Sequence, residues 1–350
     1  MKNTLKNNKK SINLTLKKMK KFTLLLFSVF AITFSTKAQD GFEGYLLASD
    51  QDRGKLIEAY INPAMKGLIY SMNSGWYHTA KVHKSFGFDI TIGLNASLVP
   101  EEDEIFTLSG LNSINAGSIT AATVAGSEDN TPLTTVNFTE NNINYTTTFD
   151  APGGVKESLP LSAVPAPAIQ VNLGLPGKFE VGLRLVPKVG SENVKGDVFG
   201  MSLKKEITSW FGPLDKLPLH VALMGSFTNM NVDYDIQNSG NIDTNNGTAE
   251  FKLNSYNFQA LASLNFPIIN IYGGFGYGSG TSTLKILGDY DLNYVGQTRT
   301  ISDPIDSEFN ASGFRTTAGL RLSLGFFKIF GSYTLQEYNT ANLGVAISIR

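Results

Sequence analysis

The sequence predicts an all-β fold: a transmembrane antiparallel β-barrel of about 12 strands, with about 10–14 allowed, behind a short N-terminal helix. Three observations predict it. The first residues carry an export-type leader, long segments alternate apolar and polar with a period of two, and the connections sort into a short class and a long class.

Residues 1–38 hold nine lysines and no Asp or Glu. The apolar run Phe22–Phe34 follows, then Ser35-Thr36-Lys37-Ala38 before Gln39. A helix needs about 20 apolar residues to cross a bilayer, and this run is shorter. A basic region, a short apolar core and a small residue at the cut form a signal peptide, with cleavage expected after Ala38 and Met19 an alternative start. The cell outer membrane is then the expected location. There is no Cys, which excludes disulfides, Cys-based metal sites and a lipid-modified N-terminal Cys. Without the nine leader lysines, 20 basic residues face 30 acidic ones. That balance leaves no basic patch for nucleic acid.

The alternation is clearest in 86–99, where Phe86, Phe88, Ile90, Ile92 and Leu94 oppose Gly87, Asp89, Thr91, Gly93 and Asn95. It recurs in 168–175, 179–186, 256–266, 313–326 and 343–350. Successive strand side chains point to opposite faces, so each segment is a strand with one apolar face. Its polar face carries Gly, Ser, Thr, Asn and Gln, as a crowded lumen requires, and aromatics such as Trp76, Tyr77, Phe266, Tyr272 and Phe326 gather near strand ends.

Strands are expected near 67–80, 86–99, 105–112, 166–175, 179–187, 196–207, 219–235, 248–266, 269–287, 308–325, 328–338 and 343–350. Connections 100–104, 176–178, 208–218, 267–268 and 326–327 then fall at one rim as short inner turns. The connections 81–85, 113–165, 188–195, 236–247, 288–307 and 339–342 fall at the other rim as outer loops. The long stretch 113–165 either folds over the mouth, enters the lumen, or is a mobile loop.

Residues 39–66 precede the barrel. Ser49-Asp50 caps a predicted helix through Ile61, and Asn62-Pro63 ends it, because the residue before proline is biased away from helix. That helix is expected either to plug the lumen from the periplasmic side or to lie as a strut against the rim. Tyr60-Ile61-Asn62-Pro63, Asn73-Ser74-Gly75-Trp76-Tyr77-His78-Thr79-Ala80-Lys81-Val82-His83-Lys84 and Gly87-Phe88-Asp89 resemble an uncharacterised family of Bacteroidota outer-membrane barrels. More distantly, the order helix, Asn-Pro-Ala, strand is similar to FadL-type outer-membrane transporters. The resemblance implies location and fold, and it carries over no ligand-binding residue.

Candidate chemistry is sparse. Of three histidines, His78 and His83 are expected at the outer end of the first hairpin and His220 a barrel height away. No catalytic, metal or cofactor site is predicted, and the chain is read as a non-enzyme. By strand phase, Asp89, Glu180, Arg184, Lys204, Glu206, Arg315, Arg321 and Lys328 face the lumen. They form either a closed network or the lining of a polar channel. Glycines in Gly273–Gly280 alternate with Phe275 and Tyr277, so they face inward and either bend the wall or admit a bulky neighbour. The expected partners are outer-membrane lipid, the barrel insertion machinery and a small hydrophobic solute. A passive transporter is the first functional expectation, and a structural barrel displaying its loops is the alternative.

Overall fold

A computed structural model describes residues 42–115, 119–140, 142–190, 193–236, 238 and 242–349. The leader lies outside the described residues. Two helices come first, α1 (Phe42–Leu47) and α2 (Asp50–Met72). Ten strands then close into one antiparallel ring: β1 (Phe88–Leu98), β7 (Ala163–Leu175), β8 (Phe179–Gly190), β9 (Val194–Glu206), β10 (Leu219–Asp235), β11 (Ile242–Asn265), β12 (Ile269–Tyr294), β14 (Ile305–Leu324), β15 (Phe327–Leu335) and β16 (Thr340–Ile349). β11 pairs with β12 and β1 with β16, so no edge remains between the first and last staves. β13 (Gln297–Ser302) extends β12 beyond the ring as a hairpin arm.

The ring sits at the lower end of the expected range because two expected staves are not part of it. Residues 67–72 complete α2, and the chain from Asn73 to Ala80 runs inside the barrel and then emerges at the short-turn rim. The weak stave at 105–112 is a three-residue strand, β2 (Ile105–Thr107), paired with β4 (Thr120–Ala122). Losing both keeps the parity of all later strands, which is why their positions stand.

One rim carries the short turns 176–178, 266–268 and 325–326. The other carries the connections from β1 to β7, from β10 to β11 and from β15 to β16, and the β13 arm. Residues 81–85 were expected among the outer loops but lie at the short-turn rim, where the adjoining Phe86 N–H donates to Gly174 O at 2.8 Å. Residues 100–104 likewise move to the long-connection rim. The described residues of 113–165 are folded. β5 (Leu133–Glu140) pairs with β6 (Ile143–Asp150) and with β3 (Ile114–Asn115), and Phe149 packs edge-on against Tyr45 of α1 at 6.0 Å.

Helix α2 is capped as expected, Ser49 Oγ accepting from Asp52 N–H, but it does not stop at Pro63. A proline inside a helix forfeits a hydrogen bond and costs about 3 kcal/mol. Burial of Leu56, Ile57, Tyr60, Leu68 and Ile69 in the apolar cluster above the lumen outweighs that. The helix therefore sits in the half of the barrel that carries the long connections.

The outward apolar band is continuous. On β14 it runs from Leu324 back to Phe314, about 34 Å along the strand and about 26 Å tall at a tilt of ~40°. That height matches the hydrocarbon thickness a barrel must cover.

Candidate functional site

The lumen is filled by the segment that follows α2. Asn73 closes the helix with its N–H on Ile69 O, and the freed carbonyls of this buried helix end need donors. Two arginines from opposite walls supply them. Arg184 on β8 donates to Met72 O at 2.9 Å and to Ser74 O at 3.1 Å. Arg315 on β14 donates to Asn73 O at 3.1 Å and to Ser74 Oγ at 2.8 Å. Trp76 lies flat on the Arg184 guanidinium, 4.0 Å away. Gly75 has φ +72°, and a Cβ there would lie 2.4 Å from Asn95 Oδ1, so only glycine makes this bend.

Lower down, Tyr77 OH donates to Gln259 Oε1 at 3.1 Å, and Ala80 N–H donates to Ser263 Oγ at 3.1 Å. The inward glycine row of β12 admits this segment: a Cβ on Gly274 would lie 2.3 Å from Tyr77 Oη. Of the two readings open for Gly273–Gly280, the bulky neighbour is the one the structure displays.

The base of the lumen is an ionic cluster. Glu180 accepts from His83 N–H at 3.0 Å and Nδ1–H at 2.8 Å, and pairs with Lys204 at 2.6 Å. Lys204 also donates to Thr79 O. His83 Nε2 lies 3.3 Å from Asp89, which Asn172 contacts from the other side at 2.8 Å. Glu206 accepts from Val82 N–H at 3.1 Å and from His220 Nδ1 at 3.0 Å. His78 stacks on Phe330 at 4.8 Å and reaches Asp89 at 3.2 Å through Nε2. Arg321 can only donate, so its 3.0 Å contact requires a lone pair on His78 Nδ1; His78 is the neutral Nε2–H form.

The eight charged residues named from strand phase thus have distinct placements. Asp89, Glu180, Lys204 and Glu206 join the basal cluster, with Arg321 half-buried at its edge. Arg184 and Arg315 stand apart from it, at mid-height. Lys328 sits at the short-turn rim, against Gly325 O. His83 and His220 share the base through Glu180 and Glu206 of neighbouring strands and are not a barrel height apart. The expectation failed because the first stave was misassigned, which inverted the rim at which 81–85 lies. Among the described residues no group of three or more His, Asp or Glu side chains could hold a metal ion.

Sequence reasoning missed a second feature, a break in the wall. β7 pairs with β1 along its whole length, but with β8 only from Gln170↔Arg184 to Leu175↔Phe179. Gly174 of β7 exchanges hydrogen bonds with the chain entering β1, so even-numbered β7 residues bond that way and odd-numbered ones face β8. Pro165 and Pro167 are odd and have no N–H to give. Pro187 lies across the break, at a register shift between Val186 and Val189. From inside, α2 stoppers the break, with Ser71 Oγ donating to Val164 O at 2.8 Å. The signal was present as Pro-Ala-Pro in an alternating strand.

The model of a family of unknown function, DUF6588, matches residues 19–349. The chain belongs to that family. No curated protein matches this chain significantly. Among solved structures, this DUF6588 protein is similar to Ail, the attachment invasion locus protein of Yersinia pestis (12% identity, 76% of this chain and 100% of that one, TM-score 0.27). It is also similar to the translocator domain of the autotransporter NalP from Neisseria meningitidis (9%, 87% and 99%, TM-score 0.31) and to Neisserial surface protein A (9%, 75% and 96%, TM-score 0.24).

Proposed function

We propose that this protein is an outer-membrane barrel that passes a small hydrophobic solute through its wall, its axis being sealed. The break between β7 and β8 carries this reading. Its outer flank is apolar, its inner face is Val164, Ala166, Ala168 and Val186, and α2 covers it from within like a stopper. A polar solute would need a wet axial path, and side chains and the 73–80 segment fill that path.

The test uses 1-N-phenylnaphthylamine as probe, with cells carrying the barrel compared with cells carrying an empty vector. Faster uptake by the wild type is expected, falling to the vector level in Pro165→Val/Pro167→Val, where the missing donors toward β8 are restored. Uptake equal to the vector, or unchanged by the repair, overturns the proposal. Ion conductance in planar bilayers is expected to be negligible for both proteins.

A second reading rests on the folded cap. Leu133, Ile143 and Leu161 are exposed there, far from the apolar band, as an interaction surface would be. In that reading the barrel is a pedestal for residues 99–162.

A further inference from the structure

The basal ionic cluster is balanced, with each acid matched to Lys, His or Arg. The mid-lumen is not. Arg184 and Arg315 are 1% and 3% exposed, and among the described residues neither has an ion-pair partner. The helix end they cap offers only about half a negative charge. Two guanidiniums therefore leave more than one positive charge buried without compensation, an arrangement that is costly unless something pairs it.

The unpaired atoms are mostly donors. Arg184 Nε, Arg315 Nε and the Trp76 indole Nε1 are all buried without a partner, against two orphan amide oxygens nearby, Asn73 Oδ1 and Asn342 Oδ1. Both guanidiniums converge on Ser74, so the two charges share one neighbourhood. There is room beside them. Gly313 lies two residues from Arg315 on the same inward face, and a Cβ built on it meets nothing within 4 Å. The space over its cross-strand partner Gly278 is taken by Asn73 Nδ2 and Arg315 Nη1, 3.4 and 3.5 Å from where a Cβ would lie, so the opening is on the Gly313 side of Arg315.

We infer that the mid-lumen between Arg184 and Arg315, beside Gly313, is a binding site for a small anion of halide or carboxylate type. Excess donors, excess positive charge and vacant volume coincide there, and an anion answers all three. The inference holds whether or not the barrel transports anything. The anion comes either from solution or as the carboxylate head of an amphiphile entering from the membrane.

Crystals of the full chain grown without halide and soaked in sodium bromide test it by anomalous diffraction. An anomalous peak is expected within hydrogen-bond reach of Arg315 or Arg184, and it should be lost in Gly313→Val, which fills the space and keeps both arginines. Arg315→Gln should lose it too, but that variant also uncaps the helix, so Gly313→Val is the deciding protein. Soaking bromide together with decanoate separates the sources. Displacement of the peak assigns the site to a carboxylate head, and persistence assigns it to a free anion. A wild-type lumen with no bromide, or a peak unmoved in Gly313→Val, overturns the inference.

Discussion

The two halves of the long strands obey opposite rules. On the lower part of β11, Tyr256, Phe258 and Leu264 face outward and Ser255, Asn257 and Gln259 face inward. Above Ser255 the faces exchange character: Lys252 and Asn254 point out, and Phe251 and Leu253 point in. β14 switches at the matching height, with Asp306, Glu308 and Asn310 outside and Ile305, Phe309 and Ala311 inside, before Phe314 begins the apolar band. The backbone continues without a break, so geometry does not set the pattern. The medium does: lipid outside and a polar lumen below, water outside and a helix-filled core above.

The contrast can be broken from either side. The largest effect is expected at Leu253, fully buried in the apolar cluster around α2. Leu253→Ala should cost about 2–5 kcal/mol. The loss should appear as earlier proteolysis of α2 and the cap, while the heat-resistant gel mobility of the barrel is retained. Next, Phe258→Arg places a charge in the apolar band and should cost about 2–4 kcal/mol in reversible unfolding from lipid vesicles. Asn254→Arg, two outward positions along β11, should cost nearly nothing in the same measurement. Equal costs would mean that the boundary at Ser255 is misplaced.

The smallest effect concerns the cap alone. Burial would raise the Asp52 carboxyl, but the Ser113 hydroxyl and N–H and the Asn112 N–H hold it below the usual aspartate range. A depressed carboxyl contributes stability that is complete above its unfolded pKa of about 3.9 and lost as pH falls through the lower folded value. The cap should therefore loosen below about pH 4 while the barrel holds, seen as faster amide exchange in 112–115. Asp52→Ala should lose about 1.5–3 kcal/mol of cap stability at neutral pH and flatten that acid response.

Much of the barrel was legible in advance because lipid enforces a strict period of two. Strands 86–99, 166–175, 179–187 and 219–235 are recovered nearly to their ends. The lumen segment was not legible for a physical reason. An extended chain enclosed on all sides shows no apolar face, so Trp76, Tyr77 and His78 read as one more stave. Pro63 misled as well, since its local cost is visible in sequence and the burial that overrides it is not. Of the site, inward charge on Asp89, Glu180, Arg184 and Arg315 followed from phase, but their sorting into a balanced base and an unbalanced middle depends on which strands adjoin. The wall break could have been read from Pro165 and Pro167, had the hydrogen-bonding edge of each odd residue been traced.

The threaded segment also constrains the order of assembly. A helix with its side chains is about 10–12 Å across, and α2 with α1 lies beyond a bore already crowded by arginine and tyrosine. The folded pair cannot be drawn through that bore afterward. The seam between β1 and β16 must therefore zip last, around a rod already laid in place, and a barrel sealed empty would be a dead end that no later rearrangement short of reopening the seam could rescue.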